Sequence, residues 1–146
     1  LFCALFAFCL CAYEPILPLA TSVNAGTGAT IIIDPGHGGR DEGTKGQNPF
    51  CVEKRVCLQT ARLVKKHLDQ LGYHVIMTRE TDAFIPLARR VEIAKQADAQ
   101  LFVSVHFNSC RSPLVQGIEI FFCDSKEEKK RSFASKRLAE SILTRM

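Results

Sequence analysis

Residues 29–46 read ATIIIDPGHGGRDEGTKG, and the change from apolar to glycine-rich sequence within this stretch decides the fold. Its first five residues are apolar or β-branched, without the polar alternation of a half-exposed strand. Such a run is typical of a strand covered on both faces of a sheet. Residues 34–46 hold five glycines and one proline, a composition that only a loop accommodates. We therefore predict a buried strand that ends abruptly in a glycine-rich loop.

Helical and strand patterns alternate along the rest of the chain. Residues 52–71 repeat apolar side chains at spacings of three, four and seven, which predicts a long amphipathic helix that stops at Gly72. Further helices are predicted over 87–96 and 125–146, and further strands over 74–78, 101–105 and 118–122. This alternation is the pattern of βαβ units. The predicted fold class is α/β, a mostly parallel or mixed sheet flanked by helices.

The composition limits the classes of function. The chain has 146 residues, of which 47% are hydrophobic and 23% charged, and its formal net charge is +4. This apolar content and small net charge exclude an intrinsically disordered chain. A nucleic-acid-binding domain concentrates its basic residues in a patch, whereas here they are spread along the sequence. No nucleic-acid partner is therefore expected.

The first twelve residues, LFCALFAFCLCA, form an unbroken apolar run. Such a run suits the core of an export signal, which needs roughly 7–15 apolar residues, and is shorter than the roughly 20 that span a bilayer. We expect residues 1–25 to be a signal peptide that lacks its basic n-region, cleaved after Ala25. A buried N-terminal helix and an uncleaved membrane anchor are the alternatives. Cleavage would leave residues 26–146 as an exported domain without a stable membrane span.

The cysteines do not indicate one particular kind of site. The remaining domain would keep four of them, and their spacing contains no CxxC pair, so a cysteine-based zinc site is poorly supported. The sequence does not decide between disulfides and buried free thiols. The four are Cys51, Cys57, Cys110 and Cys123.

Two histidines and a glutamate stand where function is expected in such a fold. His37 comes four residues after the first strand, and His106 directly follows the strand predicted over 101–105. The carboxyl ends of parallel strands meet at one edge of a sheet, so both imidazoles are expected there. Glu53 begins the helix after the glycine-rich loop. Two histidines and one carboxylate match a catalytic zinc site with an open fourth position.

These residues also have ordinary structural interpretations. A single histidine at a strand end more often makes hydrogen bonds than binds a metal, and Glu53 suits the first turn of a helix through the helix dipole. The glycine-rich loop matches neither GxxxxGK[ST] nor GxGxxG, which argues against a phosphate site. Asp34 is expected to orient the glycine turn or a ligand. Arg79 and Asp82 are expected to pair or cap, and Arg89 and Arg90 to contact a helix face or the solvent. Structural roles are expected of His67 and His74.

Five segments, taken in order, resemble the zinc-dependent N-acetylmuramoyl-L-alanine amidases. They are IIIDPGHGGRDEG, VEKR, TRETD with a later Leu-x-x-Arg (Leu87 to Arg90), ADAQLFVSVHFNS and QGIEIFF. The resemblance implies an amidase-like fold and hydrolysis of the amide between N-acetylmuramic acid and L-alanine in peptidoglycan. It further implies that His37, Glu53 and His106 bind Zn²⁺.

The same resemblance bears on the general base and on substrate contacts. It implies a catalytic glutamate beyond Met146, so that the amidase-like domain is expected to be incomplete at its C-terminus. Glu119 is a weak candidate for the base, with a supporting or structural role favoured. Asn108 is a candidate substrate-binding residue because it follows His106 closely in the sequence, with a role in fixing the loop as the alternative. Phe107, where the family usually has a small residue, is expected to narrow the substrate groove.

The leading hypothesis is therefore an exported zinc amidase of the periplasm or cell envelope that acts on peptidoglycan or its muropeptides during cell-wall remodelling. Two alternatives stay open. One is a non-catalytic module that binds zinc or the cell wall and lacks a general base. The other is a different zinc-dependent peptidase or deacetylase that uses the same three ligands.

Overall fold

The computed structural model describes residues 5–12, 28–46, 51–109, 117–124, 126 and 128–146, the first of these ranges through its backbone alone. Within them the chain forms five strands and three helices. The strands are β1 (Leu5–Ala12), β2 (Thr30–Pro35), β3 (His74–Met77), β4 (Leu101–Asn108) and β5 (Gly117–Phe122). The helices are α1 (Glu53–Gln70), α2 (Leu87–Gln96) and α3 (Lys129–Leu143). The predicted α/β class is confirmed.

The strands form one mixed sheet in the order β3-β2-β4-β1-β5. β2 is parallel to β3 and to β4, whereas β1 is antiparallel to β4 and parallel to β5. α1 and α2 connect the three parallel strands. The carboxyl ends of β2 and β4 therefore meet at one edge, where Asp34 pairs with Ser104 and Pro35 with Val105.

The hydrophobic core lies between α1 and the centre of the sheet. Ile31 and Ile33 of β2 face this core, while Ile32 between them is also fully buried, so the strand is covered on both faces as predicted. The core residues are Ile31, Ile33, Cys57, Leu58, Ala61, Val75, Met77, Val105 and Phe107. This packing fixes α1 against β2, β3 and β4, and so fixes its N-terminus beside the glycine-rich loop.

The end of α1 follows the predicted stop signal. Gly72 has φ +85°, a left-handed conformation that glycine adopts without steric cost. The N–H of Gly72 donates to Asp69 and the N–H of Tyr73 donates to Leu68, which satisfies carbonyl groups that the last turn leaves free. The chain then turns directly into β3.

β4 is longer than the predicted strand over 101–105. It continues to Asn108 because β1 pairs with it along its whole length, from Leu5 opposite Asn108 to Ala12 opposite Leu101. His106 consequently lies within the strand and not directly after it, which corrects the predicted boundary.

Leu5–Ala12 belongs to the apolar run that the sequence assigns to an export signal outside the folded domain. In the structure these residues lie between β4 and β5 and pair with both. An extended strand in this position satisfies its backbone hydrogen-bonding groups on both sides, and the alternative of a buried helix is wrong for these residues. Ala25 lies outside the described residues, so cleavage there stays a prediction.

Among the described helices, none combines the length and apolar character needed to cross a bilayer.

Candidate metal centre

Three side chains that are distant in sequence converge at the carboxyl edge of the sheet. His37 comes from the glycine-rich loop after β2, Glu53 from the first residue of α1, and His106 from β4. The Nε2 atom of His37 lies 3.0 Å from Oε1 of Glu53, and Nδ1 of His106 lies 3.3 Å from the same oxygen. The two imidazole nitrogens are 3.2 Å apart. The structure thus brings together the three residues that the sequence selects.

These three atoms fit the coordination shell of a zinc ion. A tetrahedral zinc with ligand bonds of about 2.0–2.1 Å separates its ligand atoms by roughly 3.3 Å. The observed separations of 3.0, 3.2 and 3.3 Å match that value. Two imidazole nitrogens and one carboxylate oxygen are also among the donors that zinc prefers. The spacing and the chemistry of these three residues therefore fit a zinc ion.

Glu53 is the buried member of the group, with 2% of its surface exposed. Its Oε1 accepts a hydrogen bond from the backbone N–H of Phe107 at 2.9 Å, and Oε2 accepts one from the N–H of Thr44 at 2.8 Å. Burial opposes ionisation of this carboxyl, but hydrogen bonds from both histidines, Thr44 and Phe107 outweigh it and lower its pKa. Glu53 is therefore a carboxylate at neutral pH, the form that binds a cation.

His37 is held in an unusual backbone conformation. Its φ of +62° lies in the left-handed region, which non-glycine residues rarely adopt and which persists only where the surroundings enforce it. The Nη2 of Arg90 donates to the carbonyl of His37 at 2.8 Å. The hydrogen bond with Glu53 raises the pKa of the His37 imidazole, burial opposes this effect, and the contact with Asp41 adds to it.

Behind the loop lies a buried polar network centred on Asp34. Its carboxylate accepts hydrogen bonds from the hydroxyl of Thr78 at 2.6 Å, the hydroxyl of Ser104 at 2.7 Å and Nη1 of Arg90 at 2.6 Å. Arg90 also donates to the carbonyls of Pro35 and Ile85. Asp34 thus orients the glycine turn through Arg90, as predicted. Arg90 itself is 5% exposed, which corrects the expectation that it contacts a helix face or solvent.

A second set of cations holds the loop from the side of α1. Arg79 is buried and donates to the carbonyls of Pro35 and Gly36. Lys54 donates to the carbonyl of Gly39 and pairs with Asp82, whose other oxygen accepts from the N–H of Gly39. Asp82 therefore pairs with Lys54, whereas Arg79 binds backbone carbonyls.

The structure separates the remaining candidates from the three-residue centre. Glu119 is exposed on β5; it pairs with Ala7 of β1, and Ala7 in turn pairs with His106. At a strand spacing of about 4.8 Å, the Cα atoms of Glu119 and His106 are roughly 10 Å apart. Asn108 is half-buried at the end of β4.

Phe107 packs into the core with 6% exposure and points to the opposite face of the sheet from His106. The expectation that it narrows a substrate groove is therefore wrong.

The three cysteines whose side chains the structure describes do not belong to this centre. Cys51, Cys57 and Cys123 are free thiols, and Cys57 is buried in the core. Burial raises the pKa of the Cys57 thiol to about 12, with the charge of Glu53 acting in the same direction. Cys110 lies outside the described residues.

Sequence reasoning missed the residues that orient the centre. Thr44 and Asp41 contact Glu53 and His37 directly, yet in the sequence they are two polar residues within a glycine-rich loop. Gly43 is required by close packing, since a β-carbon there would lie 2.7 Å from both Glu53 Oε2 and His37 Cδ2. The segments that carry the resemblance contain Asp41, Gly43 and Arg90 without giving any of them a role, and Thr44 lies outside these segments.

Residues 31–146 match a family described as N-acetylmuramoyl-L-alanine amidase. The chain is 42% identical over 96 residues to the N-acetylmuramoyl-L-alanine amidase AmiC of Neisseria meningitidis, covering 66% of this chain and 23% of that protein. It is 42% identical over 91 residues to AmiA of Escherichia coli, covering 62% of this chain and 31% of that protein. The solved structure of AmiC2 of Nostoc punctiforme superposes with a TM-score of 0.56 at 40% identity, covering 60% of this chain and 48% of that one. The chain thus matches less than a third of the length of either curated relative.

Proposed function

Because the chain belongs to the N-acetylmuramoyl-L-alanine amidase family, we propose that it acts in the hydrolysis of the amide bond between N-acetylmuramic acid and L-alanine in peptidoglycan. The observation that carries this proposal is the triangle of ligand atoms formed by His37, Glu53 and His106. The substrate would be peptidoglycan or its muropeptide fragments, and the process the remodelling of the cell wall.

We propose Zn²⁺ as the ion that these residues hold. Bound there, zinc would supply Lewis acidity, which activates water at neutral pH and polarises the scissile carbonyl. Glu53 lies at the buried side of the triangle, while the side chains of His37 and His106 are 19% and 32% exposed. The exposed imidazole side is where a substrate amide has access.

The chain's own residues serve to position the ligands. Thr44 and the N–H of Phe107 hold both oxygens of Glu53, so that Oε1 faces the two imidazoles. Asn108 follows His106 by two residues at the strand end, and we propose it as a contact for the peptide part of the substrate. Glu119 is exposed on β5, two strands away from His106, and stays a weak candidate for the general base.

The metal is tested first, on the full chain. Dialysis against zinc followed by elemental analysis should find about one zinc per chain, and His37→Ala and His106→Ala should each lose it. His67→Ala and His74→Ala are matched controls, because both histidines are exposed on other parts of the fold. Stoichiometric zinc retained in both ligand variants would overturn the assignment.

The reaction is tested with purified muropeptides and a zinc-loaded protein that continues beyond Met146 to the expected catalytic glutamate. Mass spectrometry should find free glycan and a stem peptide with L-alanine at its N-terminus. Zinc binding without cleavage would favour a non-catalytic module that binds zinc or the cell wall. Cleavage at a different bond would favour another zinc-dependent peptidase or deacetylase. Either result would contradict the proposed activity.

We further propose that the chain acts outside the cytoplasm, in the periplasm, the cell envelope or the medium, where its substrate lies. The apolar run of residues 1–12 supports this proposal. A reporter enzyme fused after residue 25 should be exported from a bacterial host and carry a new N-terminus at position 26. A cytoplasmic reporter of unchanged length would contradict both export and cleavage.

A further inference from the structure

Asp41 makes a contact with the candidate centre that metal ligation alone does not require. Its Oδ1 lies 2.9 Å from Nδ1 of His37, on the side of the ring away from Glu53. The other ring nitrogen of His37, Nε2, is the atom that faces Glu53 and His106. His37 is therefore held between two carboxylates, one at each nitrogen.

The chemistry of this contact fixes where the proton lies. An ionised carboxylate only accepts hydrogen bonds, so the approach of Asp41 places a proton on Nδ1 of His37. By the same argument the Glu53 carboxylate favours a proton on Nε2 in the metal-free chain, and a cation bound at Glu53 would take the place of that proton. With the remaining proton held on Nδ1 by Asp41, Nε2 then offers its lone pair to the cation. Nε2 is thereby kept as the nitrogen available to a cation.

Asp41 is itself held in place by the loop. Its backbone N–H donates to the carbonyl of Gly38 and its carbonyl accepts from the N–H of Gly38. Its Oδ1 also accepts a hydrogen bond from the N–H of Gly43 at 3.2 Å. The carboxylate is thus positioned by backbone contacts on both sides, although its side chain is 46% exposed.

We propose that Asp41 is a positioning residue that fixes the orientation and tautomer of His37, so that Nε2 points toward Glu53 and His106. Arg90 fixes the strained backbone of His37, and Asp41 fixes its ring. Carboxylates in this position behind a metal-binding histidine typically contribute 10–100-fold to metal affinity. The part of this inference that concerns the metal rests on the proposed function.

The test compares three variants of the full chain. Asp41→Ala removes the acceptor, and Asp41→Asn keeps an uncharged acceptor oxygen for both His37 and Gly43. Glu42→Gln is the matched control, since Glu42 is the neighbouring carboxylate and pairs with Lys45. Competition with a zinc chelator should give an affinity about 10–100-fold weaker for Asp41→Ala. The loss should be smaller for Asp41→Asn, because neutral acceptors bind more weakly, and absent for Glu42→Gln.

A second measurement does not depend on zinc. In the metal-free chain with ¹⁵N-labelled histidine, the proton on Nδ1 of His37 should exchange slowly with solvent in the wild type and in Glu42→Gln, and fast in Asp41→Ala. A purely structural role in the loop would leave this signal unchanged while lowering the melting temperature. Fast exchange in the wild type, or equal zinc affinity in wild type and Asp41→Ala, would overturn the inference. A wild type that binds no zinc but protects the Nδ1 proton would refute the proposed function and still support the role of Asp41 in holding the ring.

Discussion

Gly36 lies so close to the imidazole of His106 that a β-carbon at position 36 would be 2.3 Å from Cε1 of the ring. Ordinary van der Waals contact begins at 3.4 Å, so no side chain fits between the loop and this ring. The N–H of Gly36 also donates to the carbonyl of Val105 at 2.9 Å, which ties the loop to β4. The position of His106 therefore depends on a residue that contributes no side chain to the centre.

Gly36→Ala should weaken zinc binding without removing any ligand. The His106 ring has to move by about 1 Å to restore contact with the new methyl group, which separates Nδ1 from the other two ligand atoms. We expect zinc affinity to be about 10–100-fold weaker, which is typical when a residue that holds a metal-binding side chain in place is changed. We also expect the free energy of unfolding to fall by about 1–3 kcal/mol because the site is overpacked. Chelator competition and urea denaturation measure the two effects.

Gly28→Ala is the control for Gly36→Ala. Gly28 precedes β2 at its opposite end, and a β-carbon there meets no atom within 4 Å, although its φ of +61° makes alanine strained. This variant should lose stability and keep its zinc affinity. Unchanged zinc affinity in Gly36→Ala would mean that the ring of His106 does not need this close contact.

Arg90→Lys should destabilise the fold although it conserves the charge. The guanidinium joins the Asp34 carboxylate to three carbonyls of the chain, and a lysine ammonium cannot reproduce that planar set of donors. We expect a loss of about 2–3 kcal/mol in the free energy of unfolding, since breaking a buried ion pair completely costs about 3–5 kcal/mol. Urea denaturation followed by circular dichroism measures it.

Arg89 provides the comparison for Arg90. It is the preceding residue on α2, it is exposed, and it pairs with Glu92 one turn away. Arg89→Lys should change stability by less than about 0.5 kcal/mol, as is usual for surface substitutions. Equal losses in the two variants would show that the buried network of Asp34 and Arg90 does not stabilise the loop.

Much of the fold followed from local patterns in the sequence. The strand over Ile31–Ile33, the helix that ends at Gly72 and the βαβ alternation were predicted because burial and turn chemistry are local signals. The family resemblance and the amidase-like fold are confirmed by the matches to known amidases. The pairing of Leu5–Ala12 was not predictable, since an apolar run of this length suits an export signal as well as a strand.

The metal-ligand residues could be predicted from the sequence, whereas the residues that hold them in place could not. His37 and His106 were found because they lie just after or near the carboxyl ends of two neighbouring parallel strands, which the topology brings to one edge of the sheet. Asp41, Thr44 and Arg90 act through hydrogen bonds whose distances only the folded chain defines. Phe107 was misplaced because alternation along β4 turns it toward the core, whereas the prediction ended the strand before it.

Asp82→Asn should cost stability in a pH-dependent way. The hydrogen bond from Lys54, followed by that from the N–H of Gly39, lowers the pKa of the Asp82 carboxyl. A carboxyl with a lower pKa in the folded chain stabilises the fold above its unfolded value of about 3.9, and this contribution is lost as pH falls through the folded value. Asp82 is 55% exposed, so solvent screening limits the effect to less than about 1 kcal/mol.

Urea denaturation of the metal-free chain at several pH values checks the Asp82 prediction. The difference between wild type and Asp82→Asn should be complete near neutral pH and should vanish at acidic pH where the carboxyl is protonated. Glu92→Gln is the control, because its partner Arg89 lies on the same helix and not on the loop. A difference that grows toward acidic pH would contradict the sign of the pKa shift.

Cys57 should resist alkylation for as long as the chain is folded. Its thiol is buried in the core and its pKa is raised to about 12, first by burial and then by the charge of Glu53. At pH 8 the reactive thiolate would be only about one part in 10⁴, compared with roughly a quarter for a thiol of ordinary pKa near 8.5. Iodoacetamide should therefore label Cys51 and Cys123, which are half-buried, and leave Cys57 unmodified until urea is added. Peptide mass spectrometry reads each site separately, and labelling of Cys57 at the rate of Cys51 without denaturant would show that α1 does not pack on the sheet in solution as the structure places it.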